Sequence, residues 1–160
     1  MVITIAAAAT DFLACHRIAV TGVSRTPGGH GSNTVFDRLV QRGYEVFPIN
    51  PNATEIAGRQ AYPNLASVPG GVDAVVIGTR PEYALGTVKE AVELGIDKVW
   101  MHRSLDAGSV SSDAVAYGRD HGVVVIDGGC PLMFDPAADG AHKFMCALLK
   151  FTGKVPREVS

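Results

Sequence analysis

Arg17-Ile-Ala-Val-Thr-Gly-Val-Ser-Arg-Thr-Pro-Gly-Gly-His-Gly-Ser-Asn33 decides how this chain folds. The opening run, Arg17 to Val23, is apolar without alternation, the pattern of a strand covered on both faces. A glycine-rich stretch follows, and then Ser32–Arg42 carries apolar residues at 35, 36, 39 and 40, one face of a helix. Ser32 suits the N-cap and Gly43 the stop. A buried strand, a glycine loop and a helix in that order make an anion-binding turn. Gly22 permits a close turn, and Gly28, Gly29 and Gly31 let backbone N–H groups approach an anion at the helix N-terminus. Ser24, Ser32 and Asn33 can add hydrogen bonds, and Arg25 can add charge. Glycine is common in such connections, but this density at this position favours anion binding over a plain connector.

The same alternation continues outward. Further strands are expected at Tyr44–Ile49, Val72–Ile77, Asp97–Met101 and Val123–Ile126. A helix opens at Thr79-Arg80-Pro81, where proline's missing N–H costs nothing, and runs to about Glu93. Another starts at Ser111 and ends near His121-Gly122, and a last one spans Ala141–Phe151. Apolar strands separated by helices or long crossovers predict an α/β fold. The expected form is a doubly wound, Rossmann-like, five-stranded parallel sheet in the order 3-2-1-4-5. In that order the ligand crevice lies beyond strands 1 and 4. Segments 22–33, 50–52, 78–81 and 102–106 would surround it, with 127–133 at its flank.

The ligand class is narrowed by what the loop and the second strand carry. G-x-G-x-x-G is not in register, and no Gly-Lys-Ser/Thr of a Walker A loop occurs. An NAD site calls for an acid at the end of the second strand to hold the ribose. The chain reads Pro48-Ile-Asn-Pro-Asn52 there, and Glu45 lies at the strand's beginning. An NAD(P)-dependent oxidoreductase is therefore disfavoured.

The 160 residues suit one domain over the whole chain, and the net charge of −2 lacks the basic excess of a nucleic-acid or membrane-surface binder. Cys15, Cys130 and Cys146 are an odd set without framework spacing, which argues against a disulfide-stapled secreted protein. The apolar N-terminus lacks a basic leader and is interrupted by Asp11, so it reads as a segment strapping the domain. No apolar run approaches the roughly 20 residues of a spanning helix. The expected setting is cytoplasmic, with a homodimer left open.

Several stretches carry a family resemblance. Val20-Thr-Gly-Val-Ser-Arg25, Val35-Phe-Asp-Arg-Leu-Val-Gln-Arg-Gly-Tyr-Glu-Val-Phe-Pro-Ile-Asn-Pro51, Tyr62-Pro-Asn-Leu-Ala-Ser-Val-Pro69, Arg80-Pro-Glu82, Val99-Trp-Met101 and Asp127-Gly-Gly-Cys-Pro131 stand in order over about residues 12–135. Together they resemble the small stand-alone CoA-binding proteins, which are similar to the N-terminal CoA-binding domain of the succinyl-CoA synthetase α-subunit. The resemblance implies a Rossmann-like domain that binds coenzyme A, or an acyl-CoA, through its ADP half. It implies phosphates at Ser24–Asn33, the adenine side at Asn50 and Pro51, and Thr79-Arg80-Pro81 beside the pantetheine or the phosphates. The chain departs from the family at His102-Arg103, where many members carry Gln. His102 is kept as a ligand-side residue. The synthetase's further domains are not matched, so ligase activity does not carry over.

The alternative is a small enzyme acting on a CoA thioester through His102, Cys130 or His142. Cys130, between Gly129 and Pro131, reads instead as a small residue plugging the core at a tight turn, since no nucleophile signature surrounds it. No catalytic residue and no metal ligand is assigned. Trp100 is expected in the core or at an interface, and Tyr83 is expected to pack on the surface, with base stacking as the rival role.

Overall fold

A computed structural model describes residues 2–26, 31–103, 108–135, 140–151 and 158–159, with the backbone alone at 141, 142, 146 and 150. In chain order the elements are β1 (Ile3–Thr4), α1 (Ile5–Leu13), β2 (Arg17–Thr21), α2 (Gly31–Gln41), β3 (Glu45–Ile49), β4 (Glu55–Ile56), β5 (Arg59–Gln60) and β6 (Ala74–Ile77). They continue with α3 (Pro81–Glu93), β7 (Lys98–Met101), α4 (Ser112–Asp120), β8 (Val124–Asp127), α5 (Gly140–Phe151) and β9 (Glu158–Val159). Short 3₁₀ turns lie at Leu65–Ser67 and Pro131–Met133.

The unbroken apolar run of β2 has a direct cause, because both faces of its sheet are covered. Ile18 and Val20 pack with residues of α1 and α2, while Ala19 points to the other face, among residues of α3 and α4. Trp100 is fully buried on the first face, edge-on to Phe12 of α1 at 5.4 Å between ring centroids. Its indole N–H donates to the Gly128 carbonyl at 2.9 Å, so the polar end of this core ring is satisfied.

Five parallel strands form the sheet, as the alternating pattern predicts, but their order is β3-β2-β6-β7-β8. Numbered as in the sequence reading, this is 2-1-3-4-5 and not 3-2-1-4-5. The third strand pairs with the first instead of lying outside the second. The winding therefore reverses between β2 and β6, not between the first and fourth strands. The cause sits at the beginning of β2. The Asp73 carboxylate accepts the N–H groups of His16 and Arg17 at 3.2 and 3.0 Å, and the Arg17 guanidinium donates to the Gly71 and Pro69 carbonyls. These bonds dock the start of β6 beside β2. Among the described residues, the outer edge of β3 takes a single bridge, from Ile49 to Tyr62.

Two local expectations also change. Gly31 already belongs to α2, so Ser32 is inside the helix and is not its N-cap. Its hydroxyl donates to the Gly78 carbonyl at 3.1 Å, a tertiary bond that outweighs capping. The N-terminal strap is largely helical, because Thr4 caps α1 by accepting the Ala7 N–H at 3.2 Å and an alanine run follows. β1 ahead of it pairs antiparallel with β9. Among the described residues, no helix is long and apolar enough to cross a membrane.

Candidate functional site

The reversal between β2 and β6 forces two backbones together beyond the strand ends. Gly22 follows β2 with φ +77°, and a Cβ there would lie 2.5 Å from the Gly78 carbonyl oxygen and 2.9 Å from the Thr79 nitrogen. Gly78 follows β6, and a Cβ on it would meet the Ser32 hydroxyl and the Thr21 carbonyl. Neither position has room for a side chain. Further bonds lock the junction, with the Gly78 N–H donating to Thr21 Oγ1 at 3.1 Å. The sequence reading gave Gly22 a close turn and placed 78–81 at the crevice without singling out Gly78, whose signal was a glycine directly after an apolar strand run.

A cleft of about 610 Å³ opens beside this junction. That volume falls in the range of small-molecule sites. One wall is the carboxyl edge of the sheet, from Thr21 to Ser24, Ile49 to Asn52, and Thr79. The other is Pro63, Asn64 and Leu65 with Tyr83, Gly86, Thr87 and Glu90 of α3. The Thr79 hydroxyl oxygen, at the cleft wall, is buried without a hydrogen-bond partner among the described residues.

Asn33 and Asn50 are builders of this site. The Asn33 amide accepts the Ser24 N–H at 2.9 Å and donates to the Ser24 and Thr26 carbonyls, which fixes the start of the glycine loop. Asn50 donates to the Val23 carbonyl and accepts the Asn52 N–H, tying the end of β3 to the same loop. An acid at position 50 would lose the donor that holds Val23. The neutral residue there thus has a structural reason.

The structure thus brings Gly22, Ser24, Asn50, Pro51 and Thr79 to one cleft. Gly31 starts α2 beside it, with the His102 ring 2.9 Å from where a Cβ would stand. Ser32 is buried and bonded to Gly78. Arg25 is exposed. The Arg80 side chain is 80% exposed and lies 3.8 Å from Glu82. Gly28 and Gly29 lie outside the described residues, as do the side chain of His142 and residues 104–106. Cys130 is 3% exposed and belongs to the core cluster of α1, α2 and Trp100.

Tyr83 lines the cleft although it is 59% exposed. Sequence reasoning passed over its companions on α3. The signal was present, since Tyr83, Gly86, Thr87 and Glu90 follow the i, i+3, i+4, i+7 spacing of one helix face. That stripe is set against the buried Ala84, Val88 and Ala91.

A doubly wound parallel sheet with a cleft at its switch point is the architecture of a Rossmann-like α/β protein. Residues 16–136 match the CoA binding domain family, and this chain belongs to that family. An acetate–CoA ligase (ADP-forming) II of Archaeoglobus fulgidus is 35% identical over 81 residues, 49% of this chain. The match spans only 12% of that enzyme's own length. The uncharacterized protein YneT of Bacillus subtilis is 31% identical over 110 residues, which cover 69% of this chain and 78% of YneT. Among solved structures, a hypothetical protein from Pyrococcus horikoshii OT3 superposes with a TM-score of 0.67 at 25% identity, covering 73% of this chain and 80% of that one.

Proposed function

We propose that the chain is one CoA-binding domain that holds coenzyme A, or an acyl-CoA, in the switch-point cleft through its ADP and pyrophosphate part, without chemistry of its own. The observation that carries this is the junction of Gly22, Gly78 and Thr79. There the ends of β2 and β6 meet with no side chain between them, at a cleft wall that also carries Thr79, next to the start of α2, where the helix dipole favours anions. Ser24, Gly28, Gly29 and Gly31 take the phosphates, supported by Arg25 and Arg80. Asn50 and Pro51 border the adenine side. His102 stands at the beginning of α2 on the ligand side. The burial of Cys130 in the core supports binding over thioester chemistry.

Calorimetry with CoA and with NAD tests the reading. CoA is expected to bind more tightly, and tighter binding of NAD sinks it. Incubation of the purified protein with acetyl-CoA is expected to leave the thioester intact. Native mass spectrometry of freshly purified protein reads the mass of any retained acyl-CoA, and the same spectrum reports whether a homodimer forms.

A further inference from the structure

We infer that the cleft does not read the 3′-phosphate of CoA, and that dephospho-CoA binds to it at least as well as CoA itself. This rests on the CoA reading and specifies which part of the ligand is recognised. Among the described residues lining the cleft, the one group charged at neutral pH is Glu90. It is held in place, since its Oε1 accepts the Ala66 N–H at 3.0 Å from the 3₁₀ turn at Leu65–Ser67. A phosphate on the Pro63–Leu65 side of this cleft, away from Ser24 and Thr79, therefore meets a fixed carboxylate, and like charges repel.

On the adenosine side the exposed Arg59 of β5 is not among the cleft's lining residues, which leaves the end of β3 to offset that repulsion. At the end of β3 the amide of Asn50 is committed on both atoms, to Val23 and to Asn52. Asn52 is exposed at the rim and neutral, so any bond from its amide to a phosphate lacks the charge assistance that makes such bonds strong. Arg25 and Arg80 adjoin the lining residues Ser24 and Thr79, on the glycine-loop side where the pyrophosphate is placed, and Arg80 is shared with Glu82. Lys89, on the same helix as Glu90, sits over the Tyr117 ring at 5.4 Å. Arg17 is at the opposite end of β2. The charge arrangement thus suits a ligand that is anionic at its pyrophosphate and uncharged at its ribose 3′ position.

Calorimetry on the full chain, with reduced CoA and dephospho-CoA in one low-salt buffer, decides the matter. Dephospho-CoA is expected to bind within about threefold of CoA or more tightly. Asn52→Lys, at an exposed position, is expected to shift the preference toward CoA by about tenfold. Glu90→Gln keeps an acceptor for Ala66 and is expected to strengthen CoA alone, by a few-fold. Wild-type protein that binds CoA more than about threefold tighter than dephospho-CoA overturns the inference while the CoA reading stands. Protein that binds neither ligand overturns the CoA reading, and this inference with it.

Discussion

At the amino ends of the strands, charges are matched. Arg17 meets Glu45 at 2.7 Å, Lys98 meets Asp97 at 3.0 Å, and Asp73 caps the N–H groups that open β2. At the carboxyl ends of β2, β3 and β6 stand Thr21, Gly22, Asn50, Gly78 and Thr79, all neutral. The groups with perturbed proton affinity follow the same division. Burial pushes the Cys15 thiol up against the opposing pull of Lys98, and burial likewise raises Tyr44. Lys98 is raised first by its hydrogen bond to Asp97. All three lie at the amino edge. One end of the sheet uses charge to fix which strands are neighbours, and the other opens onto the cleft proposed to take the ligand.

The sharpest way to break this contrast is at Gly22. Gly22→Val places a side chain against the Gly78 carbonyl at a positive φ, so it is expected to cost about 3 kcal/mol or more of stability and to abolish CoA binding. Gly43 gives the control, because it is also at positive φ but has nothing within 4 Å of where a Cβ would stand. Gly43→Ala is expected to cost only about 1 kcal/mol. Denaturant midpoints compare the two.

Arg17→Ala tests the opposite edge. It removes bonds to Gly71, Pro69 and Glu45 and is expected to lower stability by about 2 kcal/mol while CoA affinity stays within about twofold. A large affinity loss in a folded variant would show that the two edges are not independent. Asn33→Ala should do the reverse, with about 1 kcal/mol of stability and roughly tenfold in CoA affinity lost by calorimetry, because it frees the Ser24–Thr26 backbone. Tyr83→Ala is expected to leave stability within about 0.5 kcal/mol and weaken CoA a few-fold.

The smallest effect is the pH response. Cys15, Tyr44 and Lys98 each hold their proton more tightly in the folded chain than in the unfolded one. The folded state then binds more protons at alkaline pH, so this stabilisation is complete at neutral pH and is lost as pH rises through the folded values. Denaturation midpoints at pH 7 and pH 10 should show the decline, and Cys15→Ala should reduce it.

The strands and the proline-led start of α3 were legible in the sequence because each depends on neighbouring residues. The sheet order was not. It depends on Asp73 reaching Arg17, 56 residues away, across a connection with no helical pattern. The same connection carries Pro63, Asn64 and Leu65 to the cleft, so half of the site's outer wall was hidden with it. Asn33 and Asn50 stood out in the sequence as polar residues beside the strand ends, yet their bonds to the Val23–Thr26 backbone could be read only from the structure.

Trp100 is the sole tryptophan of the chain, fully buried between Phe12 and Phe134, with its N–H on the Gly128 carbonyl. The protein therefore contains a built-in optical reporter. Its fluorescence in the native state should be that of an indole shielded from water, with emission at short wavelength, and should shift to the red when the sheet opens. Every variant above can be followed by that single signal, without a label.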